Sequence, residues 1–250
     1  VKTVVIIPTY NERENVQWIV SRVRAATPDA TVLVVDDNSP DGTGALADEL
    51  AASDTSVRVL HRAGKEGLGA AYRDGFRWAL TAGFDRVVEM DADGSHQPEQ
   101  LHRLLEASDA GADVVVGSRW VAGGGVENWA AHRRLLSRGG SAYARFALGV
   151  PLRDVTGGYR VFTAEALRRI RLDVVQSQGY CFQIDMIWHA VVEGLRVVEV
   201  PITFVERERG SSKMTMDIVL EAMLRVTGWA VTSLPSRLRR RRRAAPSLVE

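Results

Sequence analysis

Asp91 and Asp93 stand one residue apart in Met90-Asp91-Ala92-Asp93-Gly94-Ser95, directly after the apolar run Arg86-Val87-Val88-Glu89-Met90. Side chains on a strand alternate between its faces, so a strand running into this segment would aim both carboxylates the same way. Two converging carboxylates either repel one another or share a cation. A hard divalent ion such as Mg²⁺ suits them, held by one or two carboxylates and completed by phosphate oxygens. That chemistry points to an enzyme acting on a phosphorylated substrate. The plainer alternative is a polar turn that caps the next helix.

The elements that must position this pair follow from the hydrophobic pattern. Apolar, β-branched runs at 3–8, 31–36, 56–60, 86–91 and 113–117 predict strands, and helical periods predict helices at 12–26, 43–53, 67–82 and 98–109. Alternation of this kind builds an α/β fold, a largely parallel sheet flanked by helices. The glycines at 123–125 predict a loop over 118–130, a helix follows near 132–148, and 154–159 reads as turns. Helices at 164–170 and 182–193, a strand at 196–205, a polar stretch at 207–215 and a last helix at 216–234 complete the pattern.

Ligands of open α/β sheets sit beyond the carboxyl ends of the strands. Here those ends carry Pro8-Thr9-Tyr10-Asn11-Glu12, Asp36-Asp37-Asn38-Ser39-Pro40-Asp41-Gly42, Asp91-Ala92-Asp93 and Gly117-Ser118-Arg119. A purely structural sheet edge is not expected to need three aspartates in one loop. Gly42-Thr43-Gly44-Ala45-Leu46-Ala47 formally matches a dinucleotide fingerprint, but Asp36, Asp37 and Asp41 would repel a pyrophosphate and position 62 is Arg62, not an acid. Those aspartates suit ribose hydroxyls or a nucleobase. The five histidines show neither metal-site nor triad spacing and are expected to pack, although His96 adjoins the aspartate pair.

With 250 residues, 46% of them hydrophobic, the chain can bury one large core. A single cysteine, Cys181, excludes a disulfide framework and fits a reducing cytosol. Neither a signal peptide nor a run of about 18 uncharged apolar residues is seen, so no transmembrane helix is expected. The net charge of +1 hides an asymmetry: residues 1–236 carry 26 basic and 30 acidic side chains, and Arg237 and Arg239 to Arg243 follow. A nucleic-acid-binding protein is suggested only by that tail, and the acidic body and absence of interleaved aromatics weigh against it.

The combined motifs resemble the polyprenol (dolichyl) phosphate mannose synthases, inverting family 2 glycosyltransferases of the GT-A fold. Besides the strand ends above, the carrying residues are Lys65-Glu66-Gly67-Leu68-Gly69, Asp154-Val155-Thr156-Gly157-Gly158-Tyr159-Arg160, Gly179-Tyr180-Cys181-Phe182-Gln183 and Glu206-Arg207-Glu208-Arg209-Gly210-Ser211-Ser212-Lys213. The resemblance covers about residues 3–215 and implies a GT-A catalytic domain over 1–215; the residues beyond it read as an amphipathic, membrane-interface helix over 216–236 and a disordered basic tail over 237–250. It implies that Pro8, Tyr10, Glu12 and Asp37 hold the guanosine of GDP-mannose, with Ala92 and Gln183 also in the donor pocket. Asp91 and Asp93, with Ser95 as third contact, would bind Mg²⁺ or Mn²⁺ on the diphosphate. Arg119, Arg133 and Ser137 would grip the lipid phosphate, and Arg207 and Lys213 would close over the phosphates. Asp93, Arg119, Arg133, Arg207 and Lys213 would be the catalytic set. Ser95 stands where some relatives have glutamine, and Asp185 where many have glutamate.

A phosphate monoester has its second pKa near about 6 and is already a dianionic nucleophile at neutral pH, so no strong general base is required. The same fold using UDP-glucose or another nucleotide sugar is the alternative donor reading. Asp217, Glu221 and Arg225 form one polar stripe on the last helix, which suits packing on its own domain or lying on a bilayer; the arginines behind it favour the bilayer. The expectation is a peripheral enzyme on the cytoplasmic face of the cell membrane, with an integral membrane partner protein as a further means of anchoring.

Overall fold

The computed structural model describes residues 1–175, 177, 180–206 and 223–232. The expectations for Arg207, Lys213, both ends of the last helix and the basic tail lie outside them.

Strands β1 (Thr3–Thr9) and β2 (Thr31–Asp36) are apolar at nearly every position because both faces of their sheet are covered. Val4 and Ile6 enter one core cluster with Leu33, Val35, Phe76 and Phe162; Val5 and Ile7 enter the other with Val32, Val34, Val16 and Ile19. Each such aliphatic side chain contributes about 1.5–3 kcal/mol by leaving water. Helices α1 (Arg13–Ala26), α2 (Thr43–Ser53) and α4 (Leu101–Asp109) cover one face. The other face is covered by α3 (Leu68–Thr81), α5 (Ala131–Leu148), α6 (Ala164–Ile170) and α7 (Tyr180–Val192). In α1 the buried Val16, Ile19, Val20 and Val23 recur at helical spacing, which is why that segment coils.

The remaining strands of the main sheet are β3 (Val57–His61), β4 (Arg86–Glu89), β5 (Val114–Ser118), β7 (Arg160–Thr163) and β8 (Val197–Pro201). Their order is β3-β2-β1-β4-β7-β5-β8. Among the described strands of this sheet only β7 runs antiparallel, pairing Glu89 with Arg160 on one side and Val116 with Arg160 on the other. A separate parallel pair joins β6 (Gly125–Glu127) to β9 (Thr203–Val205). With β2 on one side of β1 and β4 on the other, the loops after these three strands open from neighbouring positions, where α/β sheets bind ligands.

Three expectations are corrected. Strands β6 and β7 were not anticipated; they are three and four residues long, too short to display alternation. The strand expected over 196–205 breaks at buried Ile202, whose N–H donates to the Ser118 carbonyl while its own carbonyl accepts from Gly125, so β8 and β9 join different sheets. The strand expected over 86–91 stops at Glu89, leaving Asp91 and Asp93 on a turn.

Candidate active site

Pro8, Tyr10 and Glu12 stand half-buried where β1 gives way to α1, beside the aspartate-rich loop after β2. Buried Asp36 accepts from the Thr9 hydroxyl (3.0 Å), the Ser39 hydroxyl (2.6 Å) and the Ser39 N–H (3.1 Å). Asp41 accepts from the Thr43 N–H (3.0 Å) and hydroxyl (2.6 Å) and from the Arg13 N–H (3.2 Å). Desolvation opposes its charge, but these bonds outweigh it and hold its pKa below the ordinary value. Two of the three aspartates therefore build the loop, correcting the expectation that a sheet edge has no structural use for them. The chain turns through Asn38 at φ 57° and Gly42 at φ 88°, and the backbone donors it turns inward need side-chain acceptors. Gly44 is a packing glycine: a Cβ there would lie 2.8 Å from Asp36 Oδ2.

Asp37 is different. It is buried, and its Oδ1 accepts from Arg62 Nη1 at 2.5 Å. The same guanidinium reaches Asp74 Oδ2 (2.8 Å) and Glu66 Oε2 (3.1 Å). Burial raises the Asp37 pKa, with Arg62 pulling the other way. Lys65 Nζ lies 4.1 Å from the Tyr10 ring centroid, so a cation and an aromatic face adjoin the same loop.

The aspartate pair is aimed by its turn and not by strand alternation. The Asp91 N–H donates to His96 Nδ1 (3.1 Å), and the Ser95 N–H donates to Asp93 Oδ1 (3.0 Å). The Tyr72 hydroxyl, buried below, lies 3.4 Å from Asp91 Oδ1. Ala92 and Ser95 are buried, while both carboxylates are half-buried. Gly94 takes φ 76°, and a Cβ there would meet the Trp18 ring at 2.5 Å. His96 packs, as expected, stacking 5.0 Å from Tyr159 with Phe204 edge-on at 5.5 Å. Burial pushes its pKa down to about 4 despite the pull of Asp93. At neutral pH the ring is thus uncharged, with Nδ1 accepting and the proton on Nε2.

Beneath the turn lie Glu89 and Arg160, both fully buried, with Nε and Oε2 4.0 Å apart. Arg160 donates to the carbonyls of Gln183 (2.7 Å) and Val155 (2.9 Å). Burial raises the Glu89 carboxyl to about 8, against the pull of Arg160, and lowers Arg160 to about 10. Asp91 and Asp93 are hard oxygen donors held on one turn, which fits a divalent cation. Among the described residues no group of three or more acids, histidines or cysteines forms a complete cage, so the rest of a shell would come from phosphate and water.

Arg119, at the end of β5, meets Asp154 in a bidentate pair: Nε and Nη2 donate to Oδ2 and Oδ1, each at 2.7 Å. The Arg119 N–H adds 2.9 Å to Oδ2, and Nη2 also reaches Thr156 Oγ1 at 3.0 Å. Burial works against the Asp154 charge, yet Arg119 outweighs it and holds the carboxyl below its usual range. Arg133, on α5, pairs with Glu206 and lies 4.2 Å over Trp129. Ser137 follows one turn later, half-buried on the same side of the helix. Trp129 touches both arginines, and Phe204 packs against Trp129 (5.2 Å) and His96. Through these rings the structure brings Asp91, Asp93, Arg119 and Arg133 to one site. Arg62, Tyr72, Trp129, Asp154 and Glu206 had no role assigned from sequence. Asp154 lay within a recognisable motif, but no local spacing signals a partner 35 residues away.

The family model for glycosyl transferase family 2 matches residues 4–171. The chain is 56% identical to the polyprenol monophosphomannose synthase of Mycolicibacterium smegmatis, over 95% of this chain and 90% of that one. It is 55% identical to the undecaprenyl-phosphate mannosyltransferase of Micrococcus luteus, over 96% and 98%. Among solved structures it is similar to a mannosyltransferase from Pyrobaculum calidifontis in complex with GDP-Man and Mn²⁺, with a TM-score of 0.56 and 18% identity over 98% of this chain and 76% of that one.

Proposed function

The chain belongs to glycosyl transferase family 2, and on that premise we propose that it transfers mannose from GDP-mannose to a polyprenyl phosphate. Transfer proceeds with inversion and releases GDP and polyprenyl phosphate β-mannose. The observation that carries this reading is the 55–56% identity, along nearly the whole chain, to two enzymes whose names join mannose to a polyprenol phosphate.

The geometry supports a simple division of labour. Asp37, fixed by Arg62, faces the nucleobase together with Pro8, Tyr10 and Glu12, while Ala92 and Gln183 border the sugar-diphosphate. Asp91 and Asp93 would hold Mg²⁺ or Mn²⁺, which would supply positive charge beside the departing diphosphate. The backbone of Ser95 keeps Asp93 aimed. Arg133 and Ser137 take the acceptor phosphate, and Arg119, held in place by Asp154, lines the same pocket. A phosphate oxygen attacks the anomeric carbon, the bond from that carbon to the diphosphate oxygen breaks, and GDP leaves with the electron pair. Arg207 and Lys213 close over the phosphates. Positioning and charge stabilisation account for the rate, without a general base.

No described helix is long and apolar enough to cross a membrane. The lipid acceptor places the enzyme peripherally, on the cytoplasmic face of the cell membrane, where a membrane partner protein can add to its anchoring. A panel of radiolabelled nucleotide sugars with a short-chain polyprenyl phosphate tests the donor and acceptor together. Label from GDP-mannose should enter the lipid phase; transfer from UDP-glucose in its place would overturn the donor assignment.

A further inference from the structure

Helix α5 is 18 residues long and contains no acid, yet carries His132, Arg133, Arg134, Arg138 and Arg145. Its buried residues are Ser141, Ala144 and Leu148, which face the core. On an ordinary surface helix the opposite side is polar. Here that side holds Leu135, 74% exposed, Phe146, 79% exposed, and Ala142, also exposed. At about 100° per residue these three fall within about 40° of one another, a continuous apolar stripe facing away from the core. Arg134, Arg138 and Arg145 fall within about 40° of one another too, forming a basic row along one edge of that stripe. Along the other side, the Tyr143 hydroxyl meets Thr227 Oγ1 at 2.5 Å. The helical residues 223–232 thus adjoin α5, and they expose Leu224 and Val231, one heptad apart, at 66% and 67%. No acid occurs in 223–232 either.

We propose that the outer face of α5, continued by the exposed edge of residues 223–232, is a docking surface for an anionic lipid bilayer. This deepens the peripheral-membrane part of the reading above by naming the face that meets the lipid. A stripe of large apolar side chains edged by cations of one sign matches the boundary between acyl chains and phosphate headgroups. Leucine and phenylalanine enter the apolar layer, while the arginine stems lie along it with their guanidinium groups at phosphate level. A second copy of the chain is a poorer match, because the same face would oppose its like with a row of three arginines and no acid. Arg133 and Ser137 project from the core-facing side of this helix. The helix thickness of about 10–12 Å therefore separates the docking stripe from the residues proposed to take the acceptor phosphate.

The test uses the full chain and vesicles of phosphatidylcholine alone or mixed with phosphatidylglycerol, at low and high salt. Leu135→Ser with Phe146→Ser should weaken co-sedimentation with both vesicle types by about tenfold or more, a loss that persists in high salt, where the tail arginines are screened. Arg134→Gln with Arg138→Gln and Arg145→Gln should abolish most of the preference for anionic vesicles. All variants should keep wild-type thermal midpoints, and activity on a water-soluble short-chain acceptor within about twofold, since none of these residues is assigned to the site. That acceptor assay separates failure of the docking surface from failure of the proposed reaction. As a second measurement, a thiol-reactive environment-sensitive fluorophore placed by Phe146→Cys should blue-shift on vesicles, and one placed by Ser53→Cys should not; the native Cys181 is buried. Vesicle binding unchanged in both multiple variants, or a fluorophore at 146 that stays in water, would overturn the proposal. So would a wild-type oligomer that Leu135→Ser with Phe146→Ser dissociates while vesicle binding persists, since the face would then be a protein interface.

Discussion

Asp36 and Asp41, in the loop after β2, are taken up by hydrogen bonds from neighbouring residues, and Asp37 is tied to Arg62. Across the site each of two arginines is tied to a carboxylate that the protein itself supplies. Those two pairs differ in burial: the side chains of Arg119 and Asp154 are 8% and 0% exposed, those of Arg133 and Glu206 15% and 33%. A dry, bidentate pair is a fixed part of the framework, because removing either partner strands a buried charge. A carboxylate that water can reach is exchangeable for a phosphate. Arg119 and Arg133, which sequence resemblance groups together, are thus unequal: one is locked in a dry pair and the other has a partner that water reaches.

The largest effect should come from the donor half. Asp93→Ala, or EDTA added to the wild type, should lower mannosyl transfer by at least about a hundredfold, with Mg²⁺ or Mn²⁺ restoring only the wild type. Full radiolabel transfer in chelator would remove the metal from the donor side altogether. Next, Asp154→Ala should destabilise the fold by about 3–5 kcal/mol in urea titrations. Arg133→Ala should change stability by no more than about 1 kcal/mol. Equal losses would erase the contrast between the two pairs. In kinetics, Arg133→Ala should raise the acceptor KM by about tenfold with little change in the donor KM, and Glu206→Gln should lower the acceptor KM. Arg62→Gln should raise the GDP-mannose KM several-fold and leave the acceptor KM alone; a shift in both would show that Arg62 serves the whole edge and not Asp37.

The smallest expected effect is a pH dependence. Folding raises the Glu89 carboxyl from an ordinary 4.5 to about 8, so between those values the native state keeps a proton that the unfolded chain has lost. Its contribution is present below 4.5 and disappears as pH rises through about 8. Denaturant midpoints measured across that window should fall less steeply for Glu89→Gln than for the wild type. Parallel curves would mean that Glu89 is not the group responsible.

Helices α2 and α6 were legible to the residue because helical periodicity, turn residues and flanking apolar runs agree there. The aspartate pair was legible by residue type, although its geometry comes from His96, Ser95 and Tyr72 on a turn and not from strand alternation. Charge pairing was not legible. Arg119 meets Asp154 across 35 residues and Arg133 meets Glu206 across 73, and no local pattern encodes such distances. Strand β7 escaped for a related reason, since its position is fixed by two partners and not by its own four residues.

The place of β7 also governs the order in which this chain can assemble. A nascent polypeptide that has emerged as far as Ser118 holds five of the seven strands described in the main sheet, yet β4 and β5 are joined only through residues 160–163, which have still to arrive between them. Until then both strands present open apolar edges, the condition under which intermediates aggregate or seek chaperones. Fragments that contain β5 but end before Arg160 should consequently be insoluble on expression. Such long-range closure also makes for slow folding compared with a helical protein of the same size.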